Sequence, residues 1–385
     1  MKIVYCLSNV FPHGGKEHVT CLKTDALSLV SGYDIWLAIT ESPESLPSQD
    51  LHHVRLIDLG IRYNDNKRRF PWNLFVVLRK KYKHKKALQS LLHEICPDVV
   101  VSTGSEITFL SSIKGPWKTV HEVHSIKKWD GMPTPTCLVG LVYKALNSFE
   151  RLIISKKVDS IVCLTQEQKD FSWPGNDKVV VIPNPIRFIP DTPSDLDNKR
   201  AIAVGRLAYE KNYSSLIKAW SIVASSFPEW ELDIFGDGSD YYSLSDTIRK
   251  EGLLGKVSLR GNTEDIKKEL LSSSLFIMTS RYEAFSLALL EALGCGLPIV
   301  SYDCPFGPRA VITNGQNGYL IPFDNETALA NRICQLLSSD CLRHQIGKNA
   351  FESSKRYTID RVITEWVTLF DSLASGGKKD RNHAN

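Results

Sequence analysis

At 385 residues the chain is long for one domain and comfortable for two, each large enough to bury its own core. Its 43% hydrophobic and 23% charged content is ordinary for a soluble globular protein, and the net charge of +4 conceals a strong local bias. No run of about 18 apolar residues is present, which excludes a membrane span, and the nine cysteines lack C-x-x-C or Cys/His ligand spacing, which excludes a structural zinc.

The chain opens on an apolar strand, Ile3 to Leu7, too short for a signal-peptide core, so a cytosolic protein is expected. Gly14-Gly15-Lys16-Glu17 follows and opens a helix running to Val30. Paired glycines at a helix N-terminus let backbone approach an anion, though such a turn is common. After a strand at Ile35 to Ile39, the segment from Arg62 to Lys86 gathers Arg68, Arg69, Lys80, Lys81 and six further cations against Asp65 alone. Phe70, Trp72, Phe75 and Tyr82 are interleaved with them on a helix predicted over Trp72 to Ile95. That mixture suits an anionic membrane surface or a lipid-linked phosphate; the alternative is a solvated helix face. No nucleic-acid-binding motif accompanies the basic patch.

Strands follow at Val99 to Val101 and Thr119 to His121, then a helix at Thr136 to Lys157 and a strand at Ile161 to Leu164. His121-Glu122-Val123-His124 ends a strand, where alternation sends Glu122 and His124 to one face and His121 to the other. Pro183-Asn184-Pro185, with Pro190, Pro193 and several Asp, reads as a linker. Six further strands, from Arg200 to Val204 at the start, through Leu275 to Thr279, to Tyr319 to Ile321 at the end, alternate with helices, as a parallel doubly wound sheet requires. Ile359 to Leu373 is a last helix, and residues 374–385 read as a polar tail.

The most informative stretch runs from Glu283 to Glu291. It joins a strand to a helix, the geometry that aims free backbone N–H groups and a positive dipole end at an anion. The two carboxylates lie about 12 Å apart along a helix, beyond the ~5–9.5 Å of a hydrolase pair. They suit a long ligand with hydroxyls at both ends, such as a nucleotide sugar. Phe285, Leu287, Leu289 and Leu290 make the segment a buried one, where unpaired carboxylates are costly.

This stretch resembles the E-x7-E signature of the retaining family 4 glycosyltransferases. The resemblance implies an α/β GT-B fold of two facing Rossmann-like domains with a cleft between them: an acceptor-binding domain over 1–183, a donor-binding domain over 184–358, and a last helix, 359–373, crossing back to the first. It implies that Glu283 contacts the donor sugar and Glu291 the ribose, with Ala284, Phe285, Ser286 and Leu287 lining the phosphates. Ala284 and Ser286 stand where the family usually has glycine or proline. Gly205-Arg206 through Lys211 resembles the family's G-R-x(4)-K segment, so Arg206 and Lys211 are expected on the diphosphate. Fixed cations there stabilise the charge a leaving nucleoside diphosphate gains, with no divalent metal and no cofactor required. By the same resemblance Gly15 faces the donor phosphates, Arg260-Gly261-Asn262 grips the nucleobase, and His124 is the cleft histidine, with His121 a competitor.

The expectation is a hexosyl- or N-acetylhexosaminyltransferase using a UDP-linked donor and a lipid-linked saccharide acceptor in surface polysaccharide assembly, peripheral on the inner face of the cell membrane. A sugar-nucleotide epimerase of the same fold and a non-catalytic partner protein are the rivals. An NAD-dependent oxidoreductase is excluded, since no G-x-G-x-x-G follows a strand.

Overall fold

The computed structural model describes residues 1–10, 15–41, 51, 53–63, 74–126 and 138–381. In chain order the first part holds β1 (Lys2–Leu7), α1 (Gly15–Ser28), β2 (Asp34–Ile39), β3 (Arg55–Asp58), α2 (Leu74–Ile95), β4 (Val99–Ser102), α3 (Ile107–Leu110), β5 (Lys118–Val123), α4 (Leu138–Lys157), β6 (Ser160–Cys163), α5 (Gln166–Ser172) and β7 (Val179–Val181). The second holds β8 (Arg200–Val204), α6 (Tyr213–Ser226), β9 (Glu231–Phe235), α7 (Tyr241–Lys250), β10 (Val257–Gly261), α8 (Ile266–Leu271), β11 (Leu275–Met278), α9 (Leu287–Gly294), β12 (Ile299–Tyr302), α10 (Gly307–Val311), β13 (Gly318–Ile321), α11 (Glu326–Leu337) and α12 (Asp340–Ser354). The last helix is α13 (Ile359–Arg381).

Two compact units result: Met1–Pro185 with Ile359–Asn385, and Ile186–Thr358. The first unit has a seven-stranded parallel sheet in the order β3-β2-β1-β4-β5-β6-β7. Alternate residues of β1 feed two cores. Ile3, Tyr5 and Leu7 join α1 and α13 through Leu27, Trp366 and Phe370, while Val4 and Cys6 join α2, α3 and α4 through Leu92, Ile107 and Ile154. The second unit has six parallel strands in the order β10-β9-β8-β11-β12-β13. Its central strands are buried on both faces, which is why β11 is the unbroken apolar run LFIM.

In each sheet the order reverses once, between β1 and β4 and between β8 and β11, and open α/β sheets bind ligands outside the strand ends at such points.

Three readings of the sequence need correction. The short strands β3 and β7 were not expected. Residues 183–199 are no loose linker: Ile186 and Leu196 are buried, Ile186 N–H donates to Tyr357 O, and Ser194 N–H donates to Cys295 O. The segment expected to be a tail continues α13 to Arg381.

Candidate active site

In the second unit, the loops after β8 and β11 meet at the reversal point. Lys211, in a 3-10 turn after β8, donates from Nζ to Glu283 Oε2 at 2.7 Å, and both side chains are mostly enclosed. Backbone and side-chain hydrogen bonds tie the two loops together. Thr279 Oγ1 donates to Lys211 O at 3.0 Å, Arg281 N–H to Glu210 O at 2.8 Å, and Arg281 Nη2 to Asn212 Oδ1 at 2.7 Å. Arg206 reaches Glu210 Oε1 at 2.6 Å and is otherwise exposed, free to swing to a ligand.

The far side of Glu283 is a turn of uncommon geometry. Phe306 has φ 74° and ψ −61°, and Gly307 N–H donates to Pro305 O at 3.2 Å, a γ-turn of positive φ, which a bulky residue adopts only when its surroundings enforce it. Glu283 forms a parallel bridge with Phe306. A Cβ on Gly307 would stand 2.9 Å from Glu283 Cβ, so glycine is required for this approach. The β8 loop is similarly tight: a Cβ on Gly236 would lie 2.0 Å from Gly205 O. In the sequence, Gly236-Asp237-Gly238 resembles a cleft loop of the family but is equally a plain turn.

Ser286 is the N-cap of α9, its side chain making no cap hydrogen bond, and the first N–H groups of Leu287 and its neighbours have no partner within the helix. Phe285 is buried edge-on against Tyr357, 5.9 Å between centroids. Glu291 lies on the inner side of α9, 3.2 Å from Arg187 Nε. Burial pushes its carboxyl up to about 7, with Arg187 pulling the other way. Arg187 was missed in the sequence, hidden in the segment read as linker.

Of the expected base-binding loop, Gly261 has φ 70° and accepts from Gly236 N–H at 2.7 Å, and Asn262 is exposed. The Arg260 guanidinium is engaged elsewhere, 2.7 Å from the buried Asp233, which Arg200 also meets at 2.6 Å.

In the first unit, a cavity of about 400 Å³ lies at the ends of β4 and β5, lined by Lys16, Thr103, Ser105, Arg151 and both His121 and His124. The structure thus brings both histidine candidates to one cavity. They differ in support: His124 Nε2 stands 3.2 Å from Glu122 Oε1 and is almost fully buried. Lys23 of α1 donates to Glu122 from the other side, under the Trp366 ring at 4.2 Å. Burial lowers the Lys23 pKa, and Glu122 opposes that; burial raises Glu122, but Lys23 and His124 outweigh it and hold Glu122 down at about 2. A fixed negative charge therefore stands 3.2 Å from His124 Nε2, which makes no hydrogen bond. Gly15 opens α1 nearby, with Glu17 accepting from Ser8 Oγ at 3.3 Å.

Of the basic segment, Arg68, Arg69 and Trp72 lie outside the described residues. Lys81 is exposed on α2, whereas Lys80 is tied to the Arg62 carbonyl. No helix among the described residues is long and apolar enough to cross a membrane.

Residues 186–353 match the family model for glycosyl transferases group 1. The chain is 33% identical over 231 residues to an exopolysaccharide phosphotransferase of Streptomyces coelicolor, covering 58% of this chain and 24% of that protein. It is 31% identical over 224 residues to a poly(glycerol-phosphate) alpha-glucosyltransferase of Bacillus subtilis, covering 56% of this chain and 33% of that protein. The matched stretches thus span about a quarter to a third of these relatives. Among solved structures, HepE of Anabaena in complex with UDP aligns over 97% of this chain and 100% of that one, with a TM-score of 0.73 and 19% identity. The fold is an α/β GT-B fold, built of two Rossmann-like halves.

Proposed function

We propose that the chain is a retaining, metal-independent glycosyltransferase that moves a hexose or N-acetylhexosamine from a UDP-linked donor to a lipid-linked saccharide in surface polysaccharide assembly. The observation that carries the reading is the Lys211–Glu283 contact at the point where the second sheet reverses. The match over 186–353, the named Bacillus relative and the UDP held by HepE point the same way.

The chemistry follows from charge. A diphosphate beside a bare carboxylate would be repelled; Lys211 neutralises Glu283 and leaves its second oxygen for sugar hydroxyls. As the glycosidic bond breaks, negative charge builds on the departing phosphate, and Lys211, a reoriented Arg206 and the N-terminus of α9 stabilise it. Glu291 takes the ribose, and Arg187 holds it toward its ionised form. The departing phosphate takes the acceptor's proton while the acceptor attacks on the same face. The cavity of His121 and His124 serves the acceptor, and the cations of α2 hold the enzyme to an anionic bilayer on its cytoplasmic side.

Melting curves with nucleotides test this reading. UDP and UDP-hexoses are expected to raise the melting temperature of the wild type, GDP-mannose not, and radiolabelled sugar should pass to a lipid-extractable product. Absence of any shift with every uridine nucleotide would overturn it.

A further inference from the structure

A polar residue at a helix N-cap ordinarily accepts a hydrogen bond from the second or third residue of its own helix, worth about 1 kcal/mol. Asn325 does this for α11, accepting from Ala328 N–H at 2.9 Å, and Ser339 does it for α12, accepting from Leu342 N–H at 3.3 Å. Asn212, the N-cap of α6, does not. Its backbone is left-handed, φ 53° and ψ 38°, and its Oδ1 accepts instead from Arg281 Nη2 at 2.7 Å. The side chain is buried and its Nδ2 has no hydrogen-bond partner, so it stabilises the fold less than a capping asparagine would.

Arg281 grips the residues on both sides of Lys211. Its N–H donates to Glu210 O at 2.8 Å, its Nη2 donates to Asn212 Oδ1, and its guanidinium carbon lies 4.5 Å from the centre of the Tyr209 ring. Thr279 Oγ1 stands 3.0 Å from Lys211 O and 3.2 Å from Asn212 O. Two residues beyond Arg281, Glu283 receives Lys211 Nζ. Two charge-assisted bonds therefore cross between the loops in opposite directions, Lys211 to Glu283 and Arg281 to Asn212. An ammonium on a flexible four-carbon stem keeps its place only where the backbone beneath it is fixed.

We propose that Arg281 is a positioning residue: through Asn212 it holds Lys211 where a nucleoside diphosphate is bound, and α6 forgoes its side-chain cap for that purpose. The ligand rests on the transferase reading of Lys211; the dependence of Lys211 on Arg281 and Asn212 does not. A left-handed turn by itself would be met as well by glycine, which adopts positive φ without steric cost. What glycine lacks is the amide oxygen that Arg281 reaches.

UDP titrations of the full chain in a double-mutant cycle test this, with melting temperatures as the fold control. Asn212→Gly leaves the backbone free to hold φ 53° and removes the acceptor, and Arg281→Met removes the donors. Each is expected to weaken UDP about 10-fold, the scale of a hydrogen bond to a charged group, and the two together no more than about 10-fold. Arg281→Lys keeps a charged donor for the single bond to Asn212 and should stay within about 3-fold of the wild type. In a Lys211→Ala background, Arg281→Met should cost nothing further, since it acts through that lysine. Asn212→Gly that binds UDP like the wild type overturns the proposal, because the left-handed turn would then be the whole role of Asn212. So do losses that multiply to about 100-fold in the double variant, an Arg281→Lys as weak as Arg281→Met, or a further loss in the Lys211→Ala background, which would mean a general loosening of the unit. UDP binding that obeys the cycle without any transfer of sugar would remove the transferase reading and leave the positioning role. Normal UDP affinity and transfer in both single variants would do the reverse, and a wild type that binds no UDP would overturn both.

Discussion

Glu291 offers the sharpest physical test, because its environment makes its own signature in pH. Burial raises its carboxyl from 4.5 to about 7 despite Arg187 at 3.2 Å. The folded state therefore holds this proton more tightly than the unfolded one: the stabilisation is fully present below 4.5 and is lost as pH rises through about 7. Integrated between pH 5 and pH 8, the gap removes roughly 2–3 kcal/mol from the second unit, at about 1.4 kcal/mol per pKa unit. For a unit of this size that is a fall of about 5–10 °C in its melting temperature. Glu291→Gln keeps shape and hydrogen-bonding capacity but cannot ionise, so its melting curve lacks this component. Calorimetry of both proteins from pH 5 to pH 8 at fixed ionic strength should show the variant gaining on the wild type by that amount, whatever their offset at pH 5. Other titrating groups are common to both and cancel. Parallel pH profiles would mean that Glu291 is not held in a desolvated site and would refute the reasoning.

Three further expectations bear on the site and the surface. Lys211→Ala and Arg206→Ala should each lower kcat/KM by about 100-fold, with activity surviving EDTA; near-normal turnover by both would sink their assignment. Gly307→Ala should push on Glu283, whose Cβ would lie 2.9 Å away, and cost about 1–3 kcal/mol of stability together with most transfer activity; an unchanged melting temperature and rate would show that the turn yields freely. Reversing Arg79, Lys81, Lys83 and Lys86 to Glu should abolish sedimentation with anionic liposomes, at about 1 kcal/mol per charge, and salt should mimic it; wild type that stays in solution at low ionic strength refutes membrane docking.

The parallel sheets were legible because a strand covered on both faces must be apolar along its whole length, as β4 and β11 are. The Glu283 to Glu291 stretch was legible because a strand, a turn and a helix in succession leave so few arrangements. What escaped was long-range pairing. Lys23 and Glu122 are far apart in sequence, and nothing local in α1 distinguishes a buried lysine from a surface one. Arg187 was lost for a related reason: prolines on either side describe the backbone, not what a side chain reaches. The periodicity of α4 shows an apolar face without saying which way it turns, and only the fold reveals that it looks outward.

The first unit is not continuous in the chain, and that sets an order on its assembly. Trp366 and Phe370, almost wholly buried in its core, leave the ribosome after every residue of the second unit. During synthesis the second unit, continuous in sequence, can complete its fold first. Until α13 arrives, the ammonium of Lys23 has the Tyr5 ring over it but lacks that of Trp366. The Lys23–Glu122 pair, whose carboxylate lines the histidine cavity, thus acquires its final surroundings only after the second unit has been made, and a nascent chain stalled before Trp366 would have a finished second unit and an unfinished first one.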